Sequence, residues 1–133
     1  MTHTPAIALA TEIASQVGSL TLGTNLFHGS IRAPSTHVPV DSVFVWTGGG
    51  GRPQRTMGDP NEIRRTTIHV RVRDSDYSDG STLAYSIING LRGKSIATYL
   101  DLFNAFSDPS DFGQDKDGNQ IFGATFVLVY QEP

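Results

Sequence analysis

The stretch Arg64–Arg73 limits what this chain can fold into more than any other. Ile68, Val70 and Val72 alternate there with Thr67, His69, Arg71 and Arg73. Successive side chains of a strand point to opposite faces, so the pattern predicts a β-strand with one buried face and one open face. The open face carries a histidine and two arginines. A second stretch, Ile121–Tyr130, is apolar at both parities. Phe122, Ala124, Phe126, Leu128 and Tyr130 share one face, and Ile121, Thr125, Val127 and Val129 the other. A strand of that kind is central in its sheet or covered on both sides.

Two helices are predicted beside these strands. Ala6, Leu9, Ala10, Ile13, Ala14 and Val17 recur at helical spacing over residues 5–17. Pro5 suits a first helical position, Thr4 a cap, and Gly18 a stop. Leu83, Ala84, Ile87, Ile88 and Leu91 give a second helix over Ser78–Leu91, with Asp76 and Asp79 near its positive N-terminal end. Shorter strands are expected at Asn25–Ile31, Asp41–Trp46 and Thr98–Phe106. Turns are expected at Ala33–Thr36 and Asp108–Asp111, and Asp117-Gly118 signals a type I′ hairpin before the last strand. Residues 47–61 hold Gly48–Gly51, Pro53, Gly58 and Pro60 and read as a long flexible loop or arm. The order helix, three strands, helix, two strands, with a strand–helix–strand crossover in the middle, predicts a single α+β domain. Its sheet is mixed or antiparallel, with the helices on one face.

With 133 residues the chain suits one core, and it has no cysteine, which removes disulfides, thiolate metal sites and cysteine nucleophiles. Apolar runs are only a few residues long, so no membrane span is expected, and Met1–Pro5 shows no basic leader. Charged residues are 17%, below the usual ~25%. The net charge of −3 conceals an asymmetry. Residues 1–73 hold seven basic and four acidic groups (net +3), whereas residues 74–133 hold three basic and nine acidic (net −6). Six of the ten basic residues lie between Arg52 and Arg73, and only Lys94 and Lys116 are lysines. Arginine suits fixed, forked hydrogen bonds to carboxylates or phosphates. One reading of the asymmetry is a two-sided subunit that meets its neighbour head to tail, an arrangement that closes into rings. The other readings are charge pairing within a monomer and arginines solvated on strand faces.

Motifs for chemistry are missing from the sequence. The glycine run is followed by Arg52-Pro53, so neither a phosphate loop nor a dinucleotide fingerprint forms. The histidines at 3, 28, 37 and 69 lack metal-ligand spacing, and His69 reads as a surface or interface residue. Asp115-x-Asp117-x-Asn119 imitates a calcium loop, but Gln120 and Phe126 occupy positions that need Gly and Glu. It reads as a solvated hairpin turn. Asp108, Asp111, Asp115 and Asp117 could pair as glycosidase carboxylates, a minor alternative with no pocket to place them in. No cofactor is implied. What remains is an interface set. Trp46 stands at the entrance of the glycine-rich loop, and Arg52, Arg55, Arg64 and Arg65 lie in or after it. Trp and Arg dominate interface hot spots, and an arm that orders on contact would use them; a surface loop without a role is the alternative. Arg71 and Arg73, with the acids Asp108, Asp111, Asp115 and Asp117, complete the candidates.

The layout resembles the tail terminator proteins of long-tailed bacteriophages, also described as minor capsid or tail completion proteins. The features that carry the resemblance run in order along the chain: the helix Ile7–Val17, the segment Trp46-Thr47-Gly48-Gly49-Gly50-Gly51-Arg52-Pro53, and the strand Thr67–Arg73. Next come Asp76-Tyr77 with a helix ending Ile87-Ile88-Asn89-Gly90-Leu91, the Ser-Asp-Pro-Ser turn, the Asp-Lys-Asp-Gly hairpin and the strand Phe122–Tyr130. The resemblance implies a virion protein without catalytic residues that forms a hexameric ring at the tail–neck junction. The ring would bind the last ring of the tail tube, stop its polymerisation and offer a surface for joining the head through a connector or neck protein. It implies a sheet lining the ring, helices outward, and DNA passing through the lumen without sequence-specific binding. Arg71 and Arg73 are then expected to pair with acids, across a subunit boundary, instead of lining the channel unpaired. A different neck or head-completion subunit is the alternative of the same size.

Overall fold

A computed structural model describes residues 4–28, 41–50, 54–55, 62–92, 101–104 and 108–132. Its elements in chain order are α1 (Pro5–Gln16), β1 (Leu26–His28), β2 (Ser42–Gly50), β3 (Gln54–Arg55), β4 (Glu62–Asp74), α2 (Tyr77–Leu91), β5 (Asp101–Asn104), β6 (Ser110–Gln114) and β7 (Gln120–Glu132). The strands form one mixed sheet in the order β1-β2-β4-β7-β5. Only β1 and β2 run parallel, and the other pairings are antiparallel. β3 extends the edge of β4, and β6 shares the far edge of β7 with β5. This is the α+β domain that the sequence patterning implies.

The two 13-residue strands β4 and β7 pair along their whole length, from Glu62↔Glu132 to Asp74↔Gln120. Ile68 faces Phe126, and Val72 faces Phe122, so the apolar parity of one strand meets that of the other. The same parity continues into β2, where Val43 and Val45 oppose Val72 and Val70. These side chains, with Leu128, form the floor of the core. α1 contributes Leu9, Ala10 and Ile13, and α2 contributes Ala84, Ile87, Ile88 and Leu91. Phe126 is the largest fully buried side chain among the described residues. Burial of each such group is worth about 1.5–3 kcal/mol, enough for the core to fix strand register. Because β4 and β5 both run antiparallel to β7, they are parallel to one another with β7 between them. α2 is therefore part of a crossover, as the strand–helix–strand order predicts.

The helix ends have separate causes. Asp76 caps α2 by accepting from the Asp79 N–H at 3.1 Å. Thr4 occupies the cap position of α1 but makes no side-chain cap bond, and Pro5 begins the helix. α1 ends at Gln16 with Val17 extended; Gly18 does not take a left-handed conformation, so the stop does not depend on it.

Several boundaries differ from the sequence expectation. Thr47–Gly50 continues β2 and is not the start of the loop, because its backbone pairs with Thr66–Ile68 across a register shift. Gln54 and Arg55 pair with Ile63 and Glu62 as β3. The remaining residues of the expected loop, 51–53 and 56–61, lie outside the described residues, as do the expected turn at 33–36 and the ends of the strands expected at 25–31 and 98–106. Ser110 and Asp111 are strand, not turn; β7 supplies the pairing edge although every β6 side chain is exposed. The hairpin at Asp117-Gly118 is not type I′, which needs two positive φ values. Only Gly118 has one (φ 84°), after a turn closed by its N–H on the Asp115 carbonyl (3.1 Å).

Candidate functional site

Both helices pack on the face of the sheet that carries Val45, Val70 and Phe126. The opposite face is covered by no element among the described residues. Odd-numbered β4 residues point there, so Arg65, Thr67, His69, Arg71 and Arg73 share it with Phe44 and Trp46 of β2. β7 adds Ile121, Thr125, Val127 and Val129, all half-buried.

A row of rings and cations crosses this face, exposed at Trp46, Arg71 and Phe112 and buried at Phe27 (2% exposed). Phe27 stacks on Phe44 with centroids 5.5 Å apart, and the Arg73 guanidinium lies 5.7 Å over Phe44. The Arg71 guanidinium lies 5.4 Å from the Trp46 centroid and 5.7 Å from that of Phe112, so it sits between two rings. Trp46 also meets the His69 ring at 5.5 Å. Two glycines make room for the row. A Cβ on Gly48 would fall within the His69 imidazole, and one on Gly123 within the Phe112 ring. The backbone is thus left bare where a ring must lie flat on the sheet. Trp46 is 38% and Phe112 60% exposed, although both are large and apolar.

The two arginines differ in their partners. Arg73 donates to the Ser42 hydroxyl at 3.4 Å. The Asp115 carboxyl is held below the usual range first by the Asn119 backbone N–H, at 2.9 Å, then by the Asp117 N–H and the Asn119 side chain, and least by the Arg73 charge. Asp115 therefore organises the hairpin tip, as a solvated turn would. Arg71 contacts rings only; among the described residues nothing accepts from its N–H groups. Stacking occupies the faces of a guanidinium and leaves its in-plane donors available.

The other candidate residues scatter. Arg65 is exposed on the open face, while Arg64 has the opposite parity and is half-buried. Arg55 stands opposite Glu62 in β3, and Arg52 is outside the described residues. Asp108 and Asp117 are exposed. Asp111 accepts from the Gly113 N–H at 2.8 Å and from the Tyr77 hydroxyl, and that bond holds the Tyr77 phenol above its ordinary value. The four acids do not converge. A small cleft of about 60 Å³ lies among Trp46, His69, Arg71, Phe112 and Gly123. A larger groove of about 360 Å³ lies on the helix side, among Leu20, Asp41, Asp74, Asp79 and Leu83. None of Asp108, Asp111, Asp115 and Asp117 lines either. Among the described residues no three acidic or histidine groups form a metal set, and no helix is long and apolar enough to cross a membrane.

Sequence reasoning missed Phe44, Phe112 and Gly123 as members of the row. Phe112 sits among turn-forming residues with no alternation to mark it, and its place is set by β7.

Comparison with known proteins bears on this face. No curated protein matches the chain. Among solved structures, a chain from the virion of a native gene transfer agent particle superposes with a TM-score of 0.58 at 11% identity, covering 98% of this chain and 99% of that one. At that identity the likeness is one of fold. The family model for bacteriophage tail terminator protein matches residues 15–132, which includes β1 to β7, α2 and the whole open face. The chain therefore belongs to the bacteriophage tail terminator family and is a structural protein of the virion tail.

Proposed function

We propose that this protein forms a ring, a hexamer by family resemblance, that caps the last ring of the tail tube, stops its polymerisation and presents the surface to which the head is joined. The observation that supports the reading best is the one-sided sheet. Helices cover one face, while the other holds a row of Trp46, His69, Arg71 and Phe112 in mutual contact that no part of the described chain covers. Exposed aromatic and arginine side chains are the usual anchors of a protein interface. The partners in this reading are further copies of the chain, the tail tube protein and a connector or neck protein. DNA passes through the lumen without sequence-specific binding, and catalysis has no part in it.

The test is tube growth. Purified tube subunits polymerise with and without this protein, and lengths are measured by electron microscopy. A terminator shortens the tubes in proportion to its molar ratio and is found at one end only. Unchanged lengths, or binding along the tube wall, would refute the reading.

A further inference from the structure

In the ring that the family resemblance implies, the sheet lines the lumen, so the open face meets whatever passes through. Cations and acids are sorted between the two faces by parity. Arg65, His69, Arg71 and Arg73 hold odd positions of β4 and share the open face. The acids of β2, β4 and β7 are Glu62, Asp74 and Glu132, and all three hold the other parity. Two residues of strand span about 6.8 Å. The cations therefore form a stripe along β4, and no acidic position of these strands falls among them. Asp115, at the hairpin tip, feels the charge of Arg73 at one end of the stripe.

Arg71 stands further along, between the Trp46 ring at 5.4 Å and the Phe112 ring at 5.7 Å, and nothing among the described residues accepts from its N–H groups. The rings occupy the faces of the guanidinium and leave its in-plane fork to a ligand. Arg71 lines the cleft of about 60 Å³ together with Trp46, His69, Ser110, Phe112 and Thr125. That space takes about four water-sized groups, enough for a phosphate group and too little for a base. One carboxylate would answer Arg71 alone. A stripe of cations suits an extended polyanion, and duplex DNA carries one negative charge per about 1.7 Å of its axis.

We infer that the Trp46–Arg71–Phe112 cleft takes a phosphate group of the DNA backbone. This rests on the ring reading above and names DNA as the partner of the open face. Arg71 donates a forked pair of hydrogen bonds to two phosphate oxygens, and Arg65 and Arg73 add charge along the strand. No base enters the cleft, so the contact is independent of sequence and gives a threading duplex the same weak hold at each subunit.

Trp46 is the single tryptophan of the chain and lines the cleft, so its fluorescence reads the site directly. Wild type, Arg71→Gln and Arg71→Lys are titrated with linear duplexes of unrelated sequence at several salt concentrations, with thermal melting to confirm folding. Duplex should change the Trp46 emission of the wild type, equally for each sequence. Arg71→Gln should bind roughly tenfold weaker or more, the loss of a charge-assisted contact. Its slope of log affinity against log salt should shrink by about one for each subunit that touches the duplex. Arg71→Lys keeps the charge and should keep the slope, while losing part of the affinity with the fork. Emission that ignores duplex, or affinity and slope unchanged in Arg71→Gln, would overturn the inference. So would poly-glutamate that changes the emission as well as duplex does at equal charge, or an Arg71→Gln chain that no longer self-associates yet binds duplex as the wild type does; each would assign the cleft to a protein carboxylate. Sedimentation of the same samples separates the two readings. Rings that ignore DNA refute the phosphate site alone, and a chain that binds duplex through Arg71 without forming a ring refutes the ring alone.

Discussion

Gly123 offers a quantitative check on how the open face is built. Glycine inside a strand costs about 0.5–1 kcal/mol relative to alanine, because the unfolded chain loses more freedom. With no neighbour in the way, Gly123→Ala would therefore stabilise the subunit by that amount. Here the added Cβ would overlap the Phe112 ring at Cε2. Phe112 is 60% exposed, so the ring swings out without disturbing the core. Leaving, it forfeits its seat on β7 and its contact with Arg71, the latter worth about 0.5–1 kcal/mol at an exposed site. The two effects nearly cancel, and Gly123→Ala in the wild-type background is expected to lie between neutral and about 1 kcal/mol destabilising. In a Phe112→Ala background there is no ring to displace, and the same change should stabilise by about 0.5–1 kcal/mol. The double-mutant cycle thus carries a coupling of roughly 0.5–2 kcal/mol. The assay is urea unfolding at a dilution where all four proteins are monomeric, fitted with a common slope. At this chain length 1 kcal/mol moves the melting midpoint by about 4 °C, so the effect is measurable. Equal stabilisation by Gly123→Ala in both backgrounds would refute the placement of Phe112 over β7, and with it the second ring against Arg71.

Other expectations follow from the core, the cap and two carboxyl groups. Phe126→Ala empties the centre of the core and should cost about 3–5 kcal/mol in urea unfolding; a cost under 1 kcal/mol would contradict its full burial. Asp76→Ala removes the only side-chain cap bond seen at either helix start, at about 0.5–2 kcal/mol, whereas Thr4→Ala should change little. Asp115 has a lowered folded pKa, so its contribution is present above the unfolded value of 3.8 and fades as pH falls through the folded one. Asp115→Asn should flatten the acid limb of a stability–pH curve below pH 4. Asp74 acts in the opposite direction. Its folded pKa is raised, so ionisation opposes folding, and stability gained from this group grows as pH falls through the raised value toward 3.8. Asp74→Asn should therefore stabilise the free subunit at neutral pH and lose that advantage near pH 4; a neutral-pH loss would sink the reasoning.

The sequence makes the sheet readable where period and burial coincide. The Ile68, Val70, Val72 alternation and the two-faced Ile121–Tyr130 run locate the central pair, and the helical stripes locate α1 and α2. Elements without an apolar period are not readable. β3 and β6 are strands because β4 and β7 offer paired edges, and their own side chains say little. Thr47–Gly50 is strand despite three glycines for the same reason. The site is legible in part. Trp46, Arg71 and Arg73 stand out as an aromatic at a strand end and arginines on an open face. Their partners do not, since Phe112 reaches Arg71 only through the register of β6 on β7, and the bare backbone at Gly48 and Gly123 has meaning only once a ring is seen above it. The acids at 108–117 look alike in sequence, yet Asp115 braces a turn, Asp111 binds Tyr77, and the groove takes its acids from Asp41, Asp74 and Asp79 instead.

The measurement that bears most directly on the account is the position of this chain in the assembled particle. Averaged cryo-electron images of virions with the chain labelled should show one ring, seated on the head-proximal end of the tail tube and in contact with its last ring. A label found within the neck with no contact to the tube would contradict the terminator function and favour a different head–tail joining subunit.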